Sequence, residues 1–136
     1  MKKGVKITLG VVIILVILAV IIFVVVGNYF DKVSEKMESM VINSTEFDEK
    51  LKTIEDGVYV GEYFIEDLLG AEVEVTVIDH KITEVEILQH KHGKGEDAEV
   101  ITNDIIENQS IGVDIITGAT YSSKFILKAT ENAILK

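Results

Sequence analysis

The chain of 136 residues contains no cysteine and no proline, and its 13 basic residues are all lysine. Without cysteine there is no disulfide framework, no thiolate zinc site and no thiol redox chemistry, so any redox role must rest on a cofactor. Without proline, no prolyl kink or cis-prolyl turn shapes the backbone. Basic residues are too few and too scattered to track a phosphate backbone, and the formal net charge of −10 argues against nucleic-acid binding.

The lysines are unevenly placed. Lys2, Lys3 and Lys6 precede an uncharged run, Ile7 to Val26, built almost entirely of Ile, Leu, Val, Gly and Ala. At ~1.5 Å rise per residue, ~20 such residues cross a ~30 Å hydrocarbon core. Tyr29 and Phe30 follow where aromatic rings favour the interface. The run is longer than a signal-peptide core, and Val25-Val26-Gly27-Asn28 is a poor small-residue cleavage site. The expectation is an uncleaved single-pass cell-membrane anchor over 1–30, with the lysine-bearing N-terminus cytoplasmic and the remainder outside. Residues 31–136 hold 10 lysines and all 23 acidic residues, which favours solubility and keeps that part off anionic headgroups.

Asp31 to Ile54 has helical spacing, with Val33, Met37, Met40 and Val41 before the polar triplet Asn43-Ser44-Thr45 and Phe47, Leu51 and Ile54 after it. The triplet predicts a break and a new N-cap, so 31–54 is expected to be a helical stalk packed on the domain over 55–136. Gly57 to Phe64 is rich in Val and Tyr. Glu72 to Ile78 alternates, with Val73, Val75 and Val77 on one face. After a polar break at Asp79-His80-Lys81, Ile82 to Leu88 places Thr83, Val85 and Ile87 on one face and Glu84 and Glu86 on the other. These runs predict an antiparallel hairpin with a three-residue turn and one wet face. Two helices are expected to follow. The first, roughly Glu96 to Asn108, carries Ala98, Ile101, Ile105 and Asn108 on one side; the second is capped by Ser122 or Ser123 and buries Phe125, Ala129 and Ala133. Strands followed by helices define an α+β class with a small antiparallel sheet and C-terminal helices.

The chemistry-bearing stretch is Asp114 to Ser123. Thr117, Thr120, Ser122 and Ser123 place four aliphatic hydroxyls within seven residues, around Gly118 and Ala119 and just before a helix. Small residues admit a bulky ligand close to the backbone, and a helix N-terminus offers unpaired N–H donors to an anion. Taken alone, these residues define a capped helix with a tight turn or a phosphate site on a hydroxyl-rich bend.

Asp114-Ile115-Ile116-Thr117-Gly118-Ala119-Thr120 resembles the D-x-x-[ST]-G-A-T signature of FMN-binding domains. That family includes the C subunit of the sodium-pumping NADH:quinone reductase, the G subunit of the Rnf complex and small anchored bacterial proteins. Asp56-Gly57-Val58-Tyr59-Val60-Gly61 is similar to the family's opening D-G-x-Y-x-G, and Gln109-Ser110 with Val113-Asp114 is similar to the lead into the signature. The likeness covers about residues 55–136. It departs at Tyr121-Ser122-Ser123, where many relatives have a Thr-Ser pair. The resemblance implies FMN bound covalently through a phosphoester at Thr120, installed from FAD by a magnesium-dependent FAD:protein FMN transferase. It implies cofactor contacts from Asp114, Thr117, Gly118, Ala119, Ser122 and Ser123, and electron transfer with a membrane or extracellular redox partner rather than a catalytic residue of the chain's own. Asp114 is expected to brace the bend through backbone N–H groups. Tyr63, Tyr121 and His90 are further candidates beside the flavin. A flavin-dependent reductase of a small extracellular acceptor and a non-redox interaction module of the same fold are the competing functions; turnover by the isolated flavoprotein marks the first, and a domain that stays colourless marks the second.

His90, His92 and Glu96 lie in a polar loop after the hairpin. Their spacing does not complete a zinc site, and a solvated or flavin-edge loop is the expectation, with no metal.

Overall fold

The computed structural model describes residues 2–136, with side chains from residue 9 onward. The side chains of Lys2, Lys3 and Lys6, which carry the expected orientation signal, lie outside that range. Two compact units are present, Met1–Glu38 and Ser39–Lys136.

The first unit is a single helix, α1 (Lys2–Glu38). It is the one helix among the described residues long and apolar enough to cross a membrane, with a mean hydropathy of 3.8 in its apolar window. No residue breaks it at the end of the apolar run, so Asp31 to Glu38 continues the same helix rather than starting a separate one.

The second unit begins with a short irregular segment and α2 (Ser44–Leu51). Its break and cap fall at the polar triplet: Asn43 is the N-cap, accepting the Glu46 N–H at 3.2 Å. Phe47 and Leu51, one turn apart, are buried as α2 packs on the last helix. Burial of each large apolar side chain of this kind contributes roughly 1.5–3 kcal/mol.

Three antiparallel strands follow in the order β1 (Gly57–Ile65), β2 (Leu69–Ile78) and β3 (Lys81–Lys91). Ala71, Val73, Val75 and Val77 of β2 are fully buried beneath α4 (Thr120–Leu135), whereas Glu62, Glu84 and Glu86 are exposed, so one face is dry and the other wet. The β2–β3 turn has two residues rather than three. Asp79 and His80 both have positive φ (51° and 59°), as a tight primed hairpin turn demands, and Ile78 pairs with Lys81.

The expected faces of β3 need correction. Ile82 and Val85 are buried and Thr83 is exposed. Val77 pairs with Ile82 but Thr76 with Glu84, leaving Thr83 as the extra residue of a bulge. One inserted residue turns every later side chain to the other face, so strict alternation cannot hold through it. A second shift, between Glu72 and Val73, leaves Leu88 unpaired and returns His90 to the row of Ala71 and Tyr63.

The expected helix at 96–108 is composite: a 3₁₀ segment, Glu96–Val100, runs into α3 (Ile101–Asn108). Ala98, Ile101 and Ile105 are buried as expected, but Asn108 is exposed at the helix end. Gln109 follows in the left-handed conformation, φ 53°. Its amide accepts from Ile82 N (2.7 Å) and donates to Ile82 O (2.8 Å) and Ile106 O (2.7 Å), tying the bulged strand to the end of α3.

α4 lies across the dry face. It comes closest over β1 at Gly61, where a Cβ would stand 2.2 Å from Ala129 O and 2.3 Å from Ala133 N. Only hydrogen fits there, which is why Gly61 sits opposite two alanines. Asn43 and Val41 are held against α4 from the other side: Glu131 accepts the Asn43 N–H (3.2 Å) and Lys128 Nζ (2.7 Å), and Lys128 Nζ also donates to Val41 O (2.9 Å).

Candidate functional site: the bend into the last helix

Residues 111–119 connect α3 to α4 without regular structure. The chain turns at Ile116-Thr117-Gly118-Ala119, closed by Ala119 N donating to Ile116 O at 3.0 Å. Gly118 has φ +83°, a conformation that L side chains rarely adopt. A turn of this kind needs glycine at its third position. An added Cβ at Gly118 would meet nothing within 4 Å, so the outer side of the bend is open space.

The helix starts earlier than the serine caps predict. Thr120 is its first residue and Ala119 the N-cap, with no side-chain cap bond. Ser122 and Ser123 are therefore inside the first turn, both buried. Ser123 Oγ donates to Ala119 O (2.8 Å) and accepts the Ile116 N–H (3.1 Å), and Ser123 N donates to Ala119 O (2.9 Å). Ser123 thus braces both ends of the bend from within. Ser122 meets the loop after β3, where a Cβ on Gly95 would fall 1.8 Å from Ser122 Oγ.

The outward side chains are Thr117, Thr120 and Tyr121, all three exposed, beside an exposed Ile115. Asp114, expected to brace the bend, lines a cleft of about 290 Å³ with Asp104, Asn108, Gly112 and Val113. The bracing comes from Ser123 instead, because its buried hydroxyl can both accept and donate. Tyr63 is not displayed with Thr120; its ring stacks on buried Phe125 at 6.3 Å between centroids. His90 is not displayed with Thr120 either; its side chain is 2% exposed and bonds Glu99. Of the sequence candidates, Thr117, Gly118, Ala119, Thr120, Tyr121, Ser122 and Ser123 form one continuous feature. Glu99 was missed: it follows the glycine loop and is brought back to His90 only by the fold.

The N–H groups that open α4 have no acceptor inside the helix and no capping side chain from Ala119. An exposed hydroxyl stands on the first helical residue, open space borders Gly118, and exposed apolar surface from Ile115 and Tyr121 lies alongside. This donor set fits a phosphate ester with a flat aromatic group attached.

Residues 70–135 match the family model of the FMN-binding domain, and this match supports a flavin-binding role for the C-terminal unit. The matched stretch runs from the start of β2 to the end of α4 and contains the whole bend. Among curated proteins, none matches the chain.

Proposed function

We propose that the chain is a membrane-anchored, extracytoplasmic electron-transfer flavoprotein that carries FMN esterified to Thr120 Oγ1. The observation that carries this reading is Thr120 itself: an exposed hydroxyl on the first residue of α4, beyond a bend kept narrow by Gly118 and Ala119, inside the matched FMN-binding stretch.

A threonine hydroxyl is a weak nucleophile and needs activation. Neither His nor a carboxylate hydrogen-bonds Thr120 among the described residues, so activation is assigned to the FAD:protein FMN transferase and its magnesium. In that step the Thr120 Oγ1–P bond forms, the pyrophosphate bond of FAD breaks, AMP leaves, and the hydroxyl proton passes to a base on the transferase. This chain contributes an accessible hydroxyl, a pre-shaped bend and helix N–H donors for the phosphate oxygens. Gly118 keeps the approach clear, and Ser123 holds the bend in one conformation. Bound FMN supplies the one- and two-electron chemistry, while the protein supplies position and electrostatics.

The apolar part of α1 would hold the domain at the membrane, and Lys2, Lys3 and Lys6 favour a cytoplasmic N-terminus. Covalent attachment suits a domain outside the cell, where a dissociating cofactor is diluted away. Tethering also raises the flavin's effective concentration at membrane or extracellular redox partners.

The test is co-expression of the full chain with a FAD:protein FMN transferase, followed by a denaturing gel read for flavin fluorescence. A fluorescent band is expected for the parent chain and none for Thr120→Ala. Fluorescence retained by Thr120→Ala would refute the site, and a colourless parent chain would refute the function.

A further inference from the structure

The described residues contain three buried side-chain polar atoms without a hydrogen-bond partner: Asp48 Oδ1, His90 Nε2 and His92 Nδ1. Two of the three belong to neighbouring imidazoles, whose ring centroids are 4.4 Å apart. His90 is at the end of β3, paired with Ala71, and its side chain is almost wholly buried. Its Nδ1 lies 3.0 Å from Glu99 Oε1. An ionised carboxylate only accepts, so the proton of that hydrogen bond sits on Nδ1. Nε2 is then left facing buried space with nothing to bond. An unpaired buried polar group costs about 1–3 kcal/mol, and two side by side is an arrangement that protein interiors rarely keep without a ligand.

We propose that His90, His92 and Glu99 form a binding site for a divalent transition-metal ion. One ligand atom from each residue lies within 4.8 Å of the other two. Bonds of ~2.0–2.2 Å to a tetrahedral zinc ion place its ligands ~3.4 Å apart, so the three need draw inward by no more than about 1.4 Å on binding. Glu99, with its side chain 42% exposed, has the freedom to close on the ion, whereas His90 is fixed by burial. Two imidazoles and one carboxylate select Zn²⁺, Co²⁺ or Ni²⁺ over Mg²⁺ or Ca²⁺, which prefer all-oxygen sets. Three protein ligands leave one position open. The site adjoins the flavin-binding bend without using its residues: Gly95 is packed between the two, its added Cβ 1.8 Å from Ser122 Oγ and 3.5 Å from His92 Cβ.

The site stands on its own residues and does not require the flavin. The experiment therefore uses the full chain in detergent, carrying Thr120→Ala to prevent flavinylation and treated with chelator. Co²⁺ is titrated by visible absorption and Zn²⁺ by calorimetry and thermal melting. One equivalent of Co²⁺ is expected to give tetrahedral ligand-field bands, and Zn²⁺ is expected to raise Tm. His92→Gln and Glu99→Gln should each weaken binding by tenfold or more. His80→Gln, which alters the one remaining histidine, should leave it unchanged. Absence of saturable binding overturns the proposal, as does binding by His92→Gln and Glu99→Gln that equals the parent chain. Melting of each variant without metal separates lost ligation from lost folding.

Discussion

Ser123 Oγ accepts the Ile116 N–H at 3.1 Å from inside the first turn of α4, a bond that crosses the bend it stabilises. The residues between the two are thereby held as one unit, with Thr120 on its outer side. A serine that reads as a helix cap is in fact a buried clamp, fully removed from solvent.

Ser123→Ala should leave the Ile116 N–H without its partner and release the bend. The expected loss is about 1–3 kcal/mol in urea unfolding. FMN incorporation at Thr120 should slow by more than that loss of stability explains. Equal flavinylation rates in the variant and the parent chain would remove Ser123 from any role in presenting the acceptor.

Gly118→Ala isolates backbone conformation from packing. No atom lies within 4 Å of the new methyl group, yet φ is +83°. Forcing an L-residue into this region costs roughly 1–2 kcal/mol. Flavinylation should fall while the core is untouched, so the hydrogen-exchange protection of β2 should remain that of the parent.

Gly61→Ala gives the opposite result. Its Cβ would run into Ala129 O at 2.2 Å and Ala133 N at 2.3 Å, both backbone atoms that move only if α4 moves. Overpacking of this kind costs about 1–3 kcal/mol or more. Tm should drop clearly, and flavinylation well below the melting temperature should persist, because Gly61 faces the far half of α4.

Gln109→Ala removes three hydrogen bonds that join Ile82 to Ile106. These bonds are part-buried, so the cost should be about 2–4 kcal/mol at ~1 kcal/mol or more per bond. Amide exchange should rise first around Ile82 and the Asp79-His80 turn. Gln109→Gly separates the backbone from the side chain, because glycine adopts the φ of 53° freely while losing the same amide. It too should be destabilised, and stability equal to the parent chain's would show that the amide bonds contribute nothing.

Much of the fold was legible in periodicity. The buried Val73-Val75-Val77 row, the Asn43 break and the Ala98-Ile101-Ile105 face are local patterns that side-chain hydrophobicity writes directly into spacing. Thr83 and Leu88 were not legible, because a bulge is fixed by pairing with another strand and leaves no mark on its own. The role of Ser123 was hidden for a related reason: serine near a helix start caps or clamps according to where the first turn closes, and that depends on how the whole bend packs.

The amino-acid sequence by itself determined the apolar helix at the N-terminus, the α+β order of elements and the signature that carries Thr120, since each depends on residues adjacent or regularly spaced along the chain. Only the tertiary structure decided that Ser123 rather than Asp114 braces the bend, and that Glu99 rather than Glu96 joins the two histidines. Both outcomes follow from contacts between segments that the chain separates, where burial, and not order along the backbone, chooses the partner.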